Sequence, residues 1–132
     1  MGNRGNIISI ENEKSLVFYS HSLGDEMPKI LQEALKRYKE KGGDPEFVNS
    51  HYIHSYICGE LIKASNETLF GCGQLTELIK YPRTFSIGHE IPDNDNPLVF
   101  INFDTKTIHI GEDSNIFYSF IRYLTLNLES LL

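Results

Sequence analysis

Near its start the chain alternates short apolar, β-branched runs with polar turns, and that pattern defines the first elements. Asn6 to Ile10 and Ser15 to Ser20 are two such runs, and the polar stretch Glu11-Asn12-Glu13-Lys14 between them predicts a β-hairpin. His21 to Asp25 reads as a loop, with Asp25 as the expected N-cap of a helix that carries Pro28 in its first turn. Met27, Ile30, Leu31, Ala34, Leu35 and Tyr38 then recur at steps of three and four. This is one apolar helical stripe, ended by Gly42-Gly43.

Asp44 as N-cap and Pro45 at the first position predict a second helix, carrying Phe47, Val48, Tyr52, Ser55, Cys58, Gly59 and Ile62. Leu69 to Leu75 reads as a strand in which Gly71 and Gly73 imply a bulge or a close backbone approach. A short strand is expected around Arg83 to Ile87 and a loop over Pro92 to Pro97. Leu98 to Phe103 is apolar on both faces, as a central strand would be, and Asp104-Thr105-Lys106 turns it back into Thr107 to Ile110. Ser114 is the expected cap of a last helix bearing Phe117, Phe120, Ile121, Leu124 and Leu128. The order ββααββββα, rich in hairpins, predicts an α+β fold: an antiparallel β-sheet with helices packed on one face, in a single domain over residues 1–132.

Composition narrows the partners. Twelve basic against 18 acidic residues give a net charge of −6, which argues against coating nucleic acid or an anionic membrane, since both need clustered Lys and Arg. A small anionic ligand is still compatible, because one well-placed Arg can hold a phosphate. Two cysteines make no disulfide framework, and their spacing matches no zinc motif. The first residues show no charged stretch leading into a long apolar one, and no apolar run approaches a membrane span, so a cytoplasmic protein without membrane contact is expected. The aromatic-rich final segment holds more apolar surface than one helical stripe needs, which points to a homo-oligomer.

Candidate chemistry is sparse. Asn3-Arg4-Gly5-Asn6 could present backbone N–H groups and one guanidinium to an anion; alternatively, Arg4 pairs with an acidic neighbour and Asn3 caps a turn. His21 sits before a helix start, where the N–H groups from Gly24 to Met27 would favour an anion that Asp25 and Glu26 would repel. The alternative is that His21 pins the loop. His51 and His54 share a helical face, but Glu60 points away from them, so no metal site is expected. No serine elbow, phosphate loop or paired catalytic motif occurs, so neither a catalytic residue nor a cofactor is assigned. Seven tyrosines and no tryptophan leave Tyr19, Tyr52, Tyr56 and Tyr81 as surfaces for stacking a base, or as packing residues.

Met1-Gly2-Asn3-Arg4-Gly5-Asn6-Ile7, Tyr19-Ser20-His21 with Gly24, and the run from Glu26 to Gln32 resemble a family of small, largely uncharacterised bacterial and bacteriophage proteins. Its members begin MGNR, continue with a tyrosine, any residue, histidine and tryptophan, and enter a helix through glutamate-leucine-proline. Asp44-Pro45, the segment Cys58 to Lys63, Gly71-Cys72-Gly73 and Asp93 to Asp104 follow in the family's order, so the resemblance covers most of residues 1–104. Ser22 stands where the family has tryptophan, and extra residues occur around Asn49 to His54. The resemblance implies no established activity but a phage or prophage setting, in which small proteins often act against host defences and one class sequesters nucleotide-derived immune signals such as cyclic ADP-ribose relatives.

Together these readings predict a protein that binds a small anionic, nucleotide-like ligand without a cofactor, through Asn3, Arg4, Tyr19, His21 and Gly24, with His54 and Tyr56 as the alternative location. A hydrolase of such a ligand, with His21 or His54 as general base, is one competing reading. A protein inhibitor that docks its acidic surface on a basic host defence enzyme is the other.

Overall fold

The computed structural model describes residues 3–64, 71–72, 85–88, 91 and 93–130. Strands β1 (Gly5–Glu11) and β2 (Lys14–Ser20) form the expected hairpin, in register from Gly5 opposite Ser20 to Glu11 opposite Lys14. Its connection is only Asn12-Glu13, both at positive φ, the backbone of a tight two-residue turn whose twist matches the strands. Neither residue is glycine. The Asp104 carboxylate compensates by accepting from both turn N–H groups, at 2.9 and 3.3 Å, which also ties this hairpin to the next one.

Helix α1 (Met27–Glu40) buries all six residues of the predicted stripe. It begins after a 3-10 turn at Gly24–Glu26, so Asp25 lies inside that turn instead of capping the helix. Gly42, at positive φ, lets the N–H groups of Gly42 and Gly43 fold back onto the carbonyls of Lys39 and Tyr38 and stop the helix.

Helix α2 spans Ser50–Ala64, a later start than Asp44-Pro45 predicts. The Asp44 carboxylate accepts from the Glu46 N–H and its carbonyl from the Phe47 N–H, closing a single turn that does not propagate. Asn49 is the working cap: its side chain accepts from the His51 N–H at 2.9 Å and its carbonyl from the Ile53 N–H.

Strands β3 (Gly71–Cys72), β4 (Phe85–Gly88), β5 (Val99–Asn102), β6 (Thr107–Ile110) and β7 (Tyr118–Ser119) complete one seven-stranded sheet in the order β3-β4-β2-β1-β5-β6-β7. The rest of the expected Leu69 to Leu75 strand lies outside the described residues, as do Arg83 and Tyr81. Most ladders are antiparallel, as expected; β1 with β5 and β3 with β4 are the parallel exceptions. A parallel β1–β5 pair needs a long crossover, and the chain that carries α1 and α2 between these strands supplies the length.

The last helix also differs from its prediction. Ser114 accepts only from the Ile116 N–H, residues 118–119 pair with β6, and α3 (Phe120–Leu124) starts at the cap Ser119. Phe117 therefore precedes the helix and stays exposed.

Ile7, Phe18, Val99, Ile101, Ile108 and Tyr118 form the inward row of the sheet and share one core with α1, α2 and α3, which places the helices on one face. Gln32 and Tyr123 lock α3 onto α1: the Gln32 amide donates to the carbonyls of Tyr123 and Leu126, and the Tyr123 hydroxyl to that of Pro28. Ile8, Val17 and Leu98 form a smaller cluster on the opposite face, as expected for a central strand apolar on both sides. Among the described residues no helix is long and apolar enough to cross a membrane.

Candidate functional site

The sequence-predicted residues fall in three places. The first is the corner where Asn3 and Arg4 meet the 3-10 turn and the loop at residues 93–96. The Asn3 carbonyl accepts from the Gly24 N–H at 2.7 Å, and its side-chain oxygen accepts from the Asp25 N–H and the Asn96 amide. Its own amide donates to the Ser22 carbonyl and to the Asp25 carboxylate. The Glu26 N–H is taken by the Leu23 carbonyl. The donors expected to receive an anion at this helix start are thus already paired within the chain.

Arg4 is paired too. Its guanidinium donates to Asp95 at 2.7 and 3.2 Å and to Asp93 at 2.5 Å, in place of the free guanidinium expected for phosphate capture. The hydrogen bond to Asp95 raises the Arg4 pKa above its ordinary value, and the same bond holds the Asp95 carboxyl below the usual carboxylate range. The backbones also approach closely here: a Cβ on Gly5 would collide with the Gly24 backbone, and one on Gly24 with the Asn96 amide and the Arg4 backbone. This corner is a clasp. Beside it, Tyr19 and His21 share a hydrogen bond of 2.9 Å between the phenol oxygen and Nδ1, and burial pushes the Tyr19 phenol up.

His54 and Tyr56 both lie on α2 but, two residues apart, point about 200° away from each other around the helix. His54 faces the sheet. Its Nε2 is 2.7 Å from the Ser9 hydroxyl, and its ring packs against Phe18 and edge-on to Phe103. Burial lowers its pKa; Glu11 acts in the opposite direction and His51 adds slightly to the lowering. A cavity of about 590 Å³ lies against this pair, with Glu11, Asn12 and Lys14 also on its wall. Among the described residues no three His, Cys, Asp or Glu side chains converge as a metal site, and Glu60 pairs with Arg37 at 3.1 Å.

Tyr56 faces the end of α1. It lines a half-open pocket of about 350 Å³ together with Tyr38, Tyr52, Phe47, Lys41 and Asp44. Tyr38 packs edge-on to Tyr56 and tilted against Tyr52, with ring centroids near 6.5 Å and 6.4 Å away. Gly43 allows this wall to form, since a Cβ there would strike the Tyr38 ring. The Tyr38 hydroxyl donates to the Phe47 carbonyl and accepts from the Asn49 N–H, fixing the loop that carries Phe47. Tyr52 is 60% exposed although it is a large ring beside a pocket. The helix-closing bonds of Gly42 and Gly43 occupy the carbonyls of Lys39 and Tyr38, which reduces the negative end of the α1 dipole facing this space.

Sequence reasoning missed Lys41, Asp44 and Tyr38 as pocket residues, because the late start of α2 creates the loop that assembles them. It also missed Ser9. A signal was present: in β1, Ile7 and Ser9 share the inward parity, so Ser9 is a polar residue at a core position and needs a buried partner. Compared with protein-family models, curated proteins and solved structures, the chain finds no match in any of the three.

Proposed function

We propose that the protein binds a small anionic, nucleotide-derived ligand in the pocket between the end of α1 and the start of α2. The observation that carries this reading is the convergence of Tyr38, Tyr52 and Tyr56 with the Lys41 ammonium around about 350 Å³ of half-open space. That volume lies in the range of small-molecule pockets. The exposed face of Tyr52 stacks a planar base at about 1–3 kcal/mol, Lys41 attracts a phosphate, and the Asp44 carboxylate accepts from an exocyclic amine. No histidine, serine or cysteine lines this pocket among the described residues, which favours capture of the ligand over its conversion.

The same reading has the protein act in the cytoplasm of a phage-infected cell, the setting the MGNR resemblance implies, and remove a nucleotide immune signal from circulation by analogy with one class of small phage proteins. Exposed Ile116, Phe117 and Ile121 support self-association. The test is incubation with a panel of mononucleotides, cyclic nucleotides and ADP-ribose derivatives, followed by heat release and mass analysis. Recovery of one intact nucleotide supports the reading. Recovery of an altered nucleotide, or retention of none, contradicts it.

A further inference from the structure

The larger cavity shares no lining residue with the tyrosine pocket and has a different chemical character. At its base Ser9, 2% exposed on the central strand β1, places its hydroxyl 2.7 Å from His54 Nε2. That is the contact between a hydroxyl nucleophile and its base. Phe18, tilted, and Phe103, edge-on, both pack against the imidazole, with ring centroids 5.5 and 5.8 Å away. Glu11 accepts from Ser50 at 2.8 Å and so is drawn toward the start of α2. Lys14, on the cavity wall, makes no ion pair among the described residues, and the Asn12 side-chain amide beside it makes no hydrogen bond among them.

We propose that Ser9 is a nucleophile with His54 as its general base, and that the cavity above them hydrolyses small carboxylic esters. The Ser9 oxygen bonds to the ester carbonyl carbon while its proton passes to His54 Nε2. The bond from that carbon to the alcohol oxygen then breaks, the alcohol leaves with the proton from His54, and an acyl-serine remains. Water completes the cycle: its oxygen adds to the acyl carbon, its proton goes to Nε2, and the acyl–Oγ bond breaks. Ser9 regains the proton as the carboxylic acid departs. Lys14 and Asn12 supply the donors for the single oxyanion that forms on the carbonyl oxygen. Phosphoryl transfer spreads charge over three oxygens, and Lys14 is the one cationic side chain on this wall among the described residues, so the acyl substrate fits better. The burial that lowers the His54 pKa keeps the imidazole neutral near pH 7, the state a base requires.

The test is reaction of the full chain with a fluorophosphonate probe, read by intact mass and peptide mapping. Labelling forms the Ser9 Oγ–phosphorus bond and breaks the phosphorus–fluorine bond, and fluoride leaves with the serine proton. The expected result is one label per chain on the peptide containing Ser9, formed about a hundredfold more slowly in His54→Gln and absent in Ser9→Ala. The wild-type map locates the label even if a variant fails to fold. An unlabelled Ser9, a label on another residue alone, or an unchanged rate in His54→Gln would overturn the proposal.

Discussion

The clasp around Arg4 and the pocket around Tyr52 are both surface features rich in groups that recognise ligands, and they differ in what those groups are already doing. In the clasp the guanidinium, the Asn3 amide and the helix-start N–H groups are each committed to a partner in the chain. In the pocket, Tyr52 presents a large exposed ring and Lys41 lines open space. Residue type marks recognition potential, but only unspent bonding capacity next to a cavity can be turned on a ligand. A saturated polar cluster contributes to stability; an unsaturated one is available for binding.

The sharpest way to break this contrast is Gly24→Ala. The added methyl would meet the Asn96 amide and the Arg4 backbone, and forcing the clasp apart should cost about 2–3 kcal/mol, the upper part of the range for overpacking. Urea denaturation would show a lower midpoint at unchanged slope. A neutral result would mean that the clasp tolerates expansion and contributes little. Asn3→Ala comes next, removing the acceptor of the Asp25 N–H and the donor to Ser22, with an expected loss of about 1–2 kcal/mol. Tyr52→Ala, in contrast, should leave stability within about 0.5 kcal/mol of the parent, as for surface substitutions away from such features.

The cavity side of the molecule carries its own pH dependence. Burial depresses the pKa of His54 in the folded chain, so the unfolded chain binds more protons over the interval between the folded and unfolded values. Stability from this group is therefore present above the unfolded pKa, about 6.5, and falls as pH drops toward the folded value. His109, also lowered by burial, contributes with the same sign. His54→Gln should flatten part of the fall in urea midpoint between pH 7.5 and 5.5. An unchanged slope would mean that His54 titrates as if exposed.

What was legible in the sequence was what local pattern controls. The hairpin of β1 and β2 follows from alternation around a polar turn, and α1 from an apolar stripe wide enough to bury every residue that defines it. The start of α2 was misplaced because Asp44-Pro45 is a strong local signal; Phe47, 70% exposed, gives that turn no buried contact through which to extend, and Asn49 caps the helix that packs. The last helix was misplaced for a longer-range reason: pairing of Tyr118 with Ile108 holds the preceding chain in the sheet, and this cannot be read from Ser114 and its neighbours. The same limit applies to the sites. The carboxylates that claim Arg4 come from the loop before β5, and the hydroxyl that meets His54 comes from β1, so neither partner is visible at local spacing.

In the proposed reading, ligand capture belongs to the tyrosine pocket and the clasp serves the fold. The deciding measurement takes a nucleotide that the parent is found to bind and titrates it into Tyr52→Ala and Arg4→Ala side by side, by calorimetry at one pH and salt concentration. Tyr52→Ala should weaken binding by about 1–3 kcal/mol, the loss of one stacked base face, while Arg4→Ala binds as the parent does and melts slightly lower. Binding lost in Arg4→Ala and kept in Tyr52→Ala would overturn this assignment and return the site to the clasp.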